Sequence, residues 1–75
     1  MLLINVLNER TEMAWTREKE TGFLAASNGA YSLFVNEDRE SGTFYLSATA
    51  PNYDQLLVFG SVDDLVEHLN SDYQF

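Results

Sequence analysis

Seventy-five residues with no cysteine and a single histidine offer neither a disulfide nor a structural zinc site, so apolar burial has to stabilise the fold. Twelve Asp and Glu against four Lys and Arg give a net charge of −8, which excludes direct binding to a nucleic-acid backbone, because that requires clustered cations. The apolar share of 45%, including ten aromatics, is that of a folded chain, and the length predicts one domain over residues 1–75.

Leu2, Ile4 and Val6 recur at period two with Asn5 and Asn8 among them, which predicts a strand over 2–8. In 9–21, Met13, Trp15 and Arg17 alternate with Glu12, Ala14 and Thr16. A half-exposed strand anchored by Trp15 is the favoured reading there; Leu7, Arg10 and Ala14 would also suit a short helix. The run from Phe23 to Val35 holds Asn28-Gly29 between two apolar segments, the signature of a hairpin with a two-residue turn. A turn centred on those two residues sets Leu24 opposite Leu33 and Phe23 opposite Phe34. Leu24, Ala26, Tyr31, Leu33 and Val35 then share one face, and Phe23, Ala25 and Phe34 the other.

Asn36 to Gly42 is a polar loop. Thr43 to Thr49 alternates with Phe44, Leu46 and Ala48 on one side and Tyr45 and Ser47 on the other. Pro51 to Asp54 has turn chemistry, Gln55 to Phe59 reads as a strand, and Gly60 ends it. Ser61-Val-Asp-Asp64 is a helix start: the serine oxygen can cap the N–H of Asp64, and the acids favour the positive end of the helix dipole. Val62, Leu65, Val66 and Leu69 then form an apolar stripe, with Asn70 at its C-terminal end. The tail carries Tyr73 and Phe75, aromatics expected to pack back on the body. The fold class is therefore α+β: an antiparallel four- to five-stranded β-meander with one C-terminal helix packed on one face, leaving the other face solvated.

The opening Met1–Leu7 has no basic residue and is interrupted by Asn5, so it does not read as a secretory signal. No stretch approaches the roughly 20 apolar residues of a membrane span. The expected location is cytoplasmic. Catalytic patterns are missing too. A Ser–His–acid site would have to use His68, and the glycine patterns of hydrolases and nucleotide binders do not occur. Paired carboxylates lack a cleft for a sugar in a domain this small. The reading is non-enzymatic.

Asp63, Asp64, Glu67 and His68 form the densest polar group. On a helix Asp63 faces Glu67 and Asp64 faces His68, two adjacent turns that fall short of a metal site, so no metal or other cofactor is expected. Asn36-x-Asp38-x-Glu40-x-Gly42 alternates oxygen ligands like a calcium loop, but its glycine falls one place late and strands flank it, so it reads as a hairpin loop. Charge is unevenly placed. Residues 1–39 hold six acids and all four basic residues, a net of −2; residues 40–75 hold Glu40, Asp54, Asp63, Asp64, Glu67 and Asp72 and no Lys or Arg, a net of −6.

Such a half, carried without compensating cations, suits a basic groove on a larger protein, with solubility as the plainer use of the same charge. The residues assigned to that partner are Asp63, Asp64, Glu67 and Asp72, then Glu37, Asp38, Glu40 and Asp54. Tyr53 and Tyr73, each beside an acid, serve as exposed aromatic anchors. In size, charge and missing catalytic motifs the chain resembles the small acidic inhibitors of phages and mobile elements, namely anti-CRISPR proteins and DNA-mimic anti-restriction proteins. It also resembles acidic immunity proteins that neutralise nuclease toxins. The resemblance implies an inhibitor whose carboxylates occupy sites meant for phosphates, in the host cytoplasm if phage-encoded. The competing expectation is a small structural or adaptor subunit, monomeric or a small homo-oligomer, that assembles through its sheet.

Overall fold

The computed structural model describes residues 2–73. Its elements in chain order are helix α1 (Leu3–Arg10), strands β1 (Thr16–Arg17), β2 (Leu24–Asn28), β3 (Tyr31–Asp38), β4 (Thr43–Ala50) and β5 (Tyr53–Phe59), and helix α2 (Val62–Asp72). The strands form one antiparallel sheet in sequence order, a five-stranded meander, and both helices bury apolar side chains against the same face. The fold is α+β, with its C-terminal helix where the capping signal put it. Phe75 lies outside the described residues.

The inward-facing positions of successive strands make the core: Leu24 from β2, Leu33 and Val35 from β3, Phe44, Leu46 and Ala48 from β4. Leu65, Val66 and Leu69 of α2 and Leu7 of α1 close over them, with Met13 and Trp15 from the connection after α1. Ser61 caps α2, its Oγ accepting the N–H of Asp64 at 3.1 Å.

The first segment is helical, not the expected strand. Its apolar residues satisfy both periods, and tertiary packing selects the one that puts Leu7 in the core with Leu3 and Ile4 beside it while Leu2 stays exposed. Residues 9–21 do not form one strand either. The helix runs to Arg10, Thr11 ends it, and only Thr16–Arg17 joins the sheet, because Trp15 is drawn into the core just before. Thr11 organises this turn of chain. Its buried hydroxyl donates to the Leu7 carbonyl at 2.6 Å and accepts the Trp15 indole N–H at 3.0 Å. Asn8 accepts the backbone N–H of Trp15 at 2.7 Å, holding the helix end against the loop.

The β2–β3 hairpin pairs Leu24 with Val35, Ala25 with Phe34, Ala26 with Leu33 and Asn28 with Tyr31, so Gly29 and Ala30 form the turn in place of Asn28 and Gly29. Gly29 has φ +62°, and glycine at the first central position is what a type II′ turn demands. Each partner moves by two residues, so side chains keep their faces: Leu24, Leu33 and Val35 are buried, while Phe34 on the opposite face is only half-buried. Asn52 takes φ +65° after Pro51, in the two-residue turn between β4 and β5.

Thr11→Val would keep the side-chain volume but leave the indole N–H of Trp15 buried without an acceptor. We expect a loss of about 1–3 kcal/mol in urea denaturation with native circular dichroism retained. An unchanged midpoint would show that the indole hydrogen bond does not hold the helix to the sheet.

Candidate functional site

Helix α2 divides by chemistry as its period requires. Leu65, Val66 and Leu69 are buried, whereas Asp63, Asp64, Glu67, Ser71 and Asp72 are exposed. Asp64, Glu67, His68, Ser71 and Asp72 line a shallow open depression along the helix. Asp63 stands apart from this row, because its carboxylate meets the Arg10 guanidinium at 2.8 Å and so bridges the N-terminal turn of α2 to the end of α1. Both partners are exposed, so the bridge orients more than it stabilises.

His68 does not pair with Asp64 as the sequence suggested. Its Nδ1 lies 3.3 Å from Asp72 Oδ2 and its Nε2 lies 2.9 Å from the Tyr73 hydroxyl. The Tyr73 contact orients the ring, leaving Nδ1 toward the last turn of α2. There the Asp72 side chain, tilted back toward the helix N-terminus, meets it. Phe59 packs against the same imidazole at 5.2 Å between ring centres.

Tyr73 is not an exposed anchor. It is 1% exposed, with its ring edge-to-face against Tyr31 at 5.0 Å and its carbonyl accepting a hydrogen bond from the Asn28 amide. Burial is the main influence pushing its phenol well above the ordinary tyrosine range, and negative charge on Tyr53 or Asp72 acts in the same direction. The carboxylate–imidazole–phenol chain therefore ends on a buried proton rather than a solvent-facing nucleophile. Its effect is to fasten the end of α2 to the β2–β3 turn. Tyr53 is 36% exposed; its ring lies edge-to-face on Tyr31 at 5.4 Å and its hydroxyl donates to Gln55.

The remaining acids fall into separate places. Glu37, Asp38 and Glu40 gather where β3 turns into β4, with Asp38 accepting the Glu40 N–H at 3.1 Å. Glu37 is in register with Phe44, and Phe44 with Phe59, so this group sits at the sheet end from which α2 departs. Asp54, in register with Thr49 and through it with Ser32, lies at the opposite end on β5. Among the described residues no group of three or more His, Asp and Glu side chains is disposed to hold a metal. A cleft bounded by Arg10, Glu12, Met13, Asn28, Leu69 and Asn70 has three of its polar side chains turned to neighbours: Arg10 to Asp63, Asn28 to Tyr73 and Asn70 to the Arg10 carbonyl.

Sequence reasoning offered the sheet as an assembly surface but did not name the residues that make its outer face apolar. Leu56 is 66% and Val58 57% exposed, and Phe34 and Tyr45 lie half-buried on the same face. Cross-strand rows there run Ala25–Phe34–Ser47–Leu56 and Asn36–Tyr45–Val58, without a charged side chain. The signal was the run Leu56-Leu57-Val58-Phe59, which alternation on a one-sided sheet must leave half exposed.

Comparisons with protein-family models, with curated proteins and with solved structures find no match to this chain.

Tyr73→Phe removes the partner of His68 Nε2 and should cost about 1 kcal/mol at neutral pH. The raised Tyr73 pKa means that the folded state keeps this proton where the unfolded chain releases it. The stability so contributed is complete below about pH 10 and is lost as pH rises beyond it. Denaturation midpoints should therefore fall less steeply above about pH 10 in the variant than in the parent. Parallel slopes would remove Tyr73 as the alkaline-sensitive group.

Proposed function

We propose that this chain is a non-enzymatic, acidic protein-binding inhibitor: the exposed side of α2 docks on a basic, nucleic-acid-contacting surface of a larger nuclease-type enzyme. The observation that carries the reading is the row Asp64, Glu67 and Asp72 on one exposed helix side, to which no Lys or Arg is paired among the described residues. Asp64 and Glu67 are separated by about 4.5 Å along the helix axis and Glu67 and Asp72 by about 7.5 Å. The row thus carries one charge per about 6 Å, a little over half the density of a nucleic-acid strand at about one per 3.4 Å of axis, so it offers a surface built for phosphates part of the negative charge it accepts.

The four basic residues do not interrupt this row. Arg10 is engaged with Asp63, Arg17 donates to the Gly22 carbonyl at 2.7 Å, and Lys19 and Arg39 lie in connections between strands. Glu37, Asp38 and Glu40 extend the negative potential at the end of the sheet where α2 begins. Asp54 and the half-exposed Tyr53 lie away from it and are secondary contacts. Function of this kind is that of anti-CRISPR and DNA-mimic proteins, and of immunity proteins toward nuclease toxins, and it would be exercised in the cytoplasm. Assembly through the sheet is a second reading, favoured by the exposed Leu56 and Val58.

The test is capture of a basic enzyme on the tagged protein, followed by titration of the purified pair. Affinity should fall steeply between about 0.05 and 0.5 M salt, and nucleic acid should displace the protein. Asp64→Lys with Glu67→Lys should weaken binding at least about tenfold, whereas Glu20→Lys in the connection before β2 should leave it within about twofold. Binding that ignores both salt and the α2 reversals would remove this assignment.

A further inference from the structure

The last strand of the sheet has a bare edge whose backbone pattern can be read from register. A two-residue turn closes on a hydrogen-bonded pair, so Tyr53 bonds Ala50, and alternation makes Gln55, Leu57 and Phe59 the other residues of β5 whose backbone faces β4. The N–H and C=O groups of Asp54, Leu56 and Val58 therefore point out of the sheet. No backbone hydrogen bond from another element meets them among the described residues. Natural edges are protected by lysine, proline, a bulge or shortness. β5 has none of these: it is seven residues long, pairs with β4 without interruption, and carries Asp54 as its single charge.

We propose that a second copy of this chain pairs antiparallel with the free edge of β5, about a two-fold axis through Leu56, joining the two sheets into one. The choice of partner rests on self-complementarity and charge. With Leu56 opposite Leu56 of the other copy, Asp54 falls opposite Val58 in both directions, and every outward backbone group of all three residues is matched. A register centred on Asp54 would leave Leu56 and Val58 beyond the pairing and set two carboxylates face to face. Charge permits this register: the cross-strand rows through Leu56 and Val58 are uncharged, and Asp54, the single charge of β5, faces Val58 of the other copy rather than a second carboxylate.

The two-fold axis stands perpendicular to the joined sheet, so both α2 helices lie on the same side, each packed over its own β4 and β5. Their acids repel across the junction, and the dimer tightens as salt screens them. That sign is opposite to the one expected for α2 on a basic partner, so the two proposals fail separately. A contact built on one seven-residue edge with Leu56 and Val58 falls at the low end of specific interfaces, about 1,200 Å² or less, the size class of weak and transient contacts.

Sedimentation equilibrium of the intact protein from about 5 to 500 µM, at about 0.05 and 0.5 M salt, should show a monomer–dimer equilibrium at least about threefold tighter in the higher salt. Amide exchange should slow at least about tenfold with concentration at Asp54, Leu56 and Val58, while Gln55, Leu57 and Phe59 are protected throughout. Leu56→Lys sets like charges together on the axis and should abolish the dimer with an unchanged circular dichroism spectrum. Val58→Lys faces Asp54 of the other copy and should keep or tighten it. A monomer at every concentration overturns the proposal, as does equal weakening by both lysine variants, which would indicate unspecific apolar contact. A wild-type chain that stays monomeric while a different protein protects the same three amides would assign the edge to a foreign strand and equally overturn it.

Discussion

A sheet of five antiparallel strands has two faces, and this chain has an eight-residue and an eleven-residue helix with which to cover them. Both helices go to the same side, where Leu7, Leu65, Val66 and Leu69 meet Leu24, Leu33, Val35 and Leu46. Placing both on one face makes a single core in place of two thinner ones, and a small core loses apolar burial steeply as it is divided. The rest of the molecule follows from that allocation. One surface is helical and acidic, the other is strand with Leu56 and Val58 in the open.

Covering the sheet also requires that helices from the two termini be held at fixed angles, and polar groups do this at both attachments. At the N-terminal side the Thr11 hydroxyl links the last turn of α1 to the Trp15 indole while Asn8 takes the Trp15 N–H. At the C-terminal side Asn28 holds the carbonyl of Tyr73 and His68 holds its hydroxyl. Each fastening satisfies a buried polar group, and none of the buried side-chain polar atoms among the described residues lacks a partner. Arg10 and Asn70 add a direct tie between the helices, through Asp63 and the Arg10 carbonyl.

What could be read in advance was what local periodicity encodes. Phe44, Leu46 and Ala48 alternate in a strand with polar neighbours, and Ser61 with its two acids starts a helix whose stripe has a single interpretation. The first eight residues fail that condition. Leu2, Leu3, Ile4, Val6 and Leu7 satisfy a strand and a helix alike, and only contact with distant residues decides between them. The hairpin turn shifted by one residue because Asn28 and Gly29 fit two turn types, and the contact of Asn28 with Tyr73, forty-five residues away in sequence, accompanies the one adopted. The acidic row on α2 was visible in the sequence; the burial of Tyr73 and the diversion of Asp63 to Arg10 were not, since both depend on partners brought by the fold.

The meander also sets the order in which the chain can assemble. Each of β2 to β5 pairs with its neighbour in sequence through a turn of two to four residues, so the sheet needs only short loop closures. The helical cover is different, because it is delivered from opposite ends of the chain and α2 is reached last. α1 precedes the strands it covers and α2 follows them, so the core closes only when both flanks of the meander have come together. The sheet is thus local in its assembly and its cover is not: strands close onto neighbours a few residues away, while α1 and α2 meet across the length of the chain through Arg10, Asp63 and Asn70.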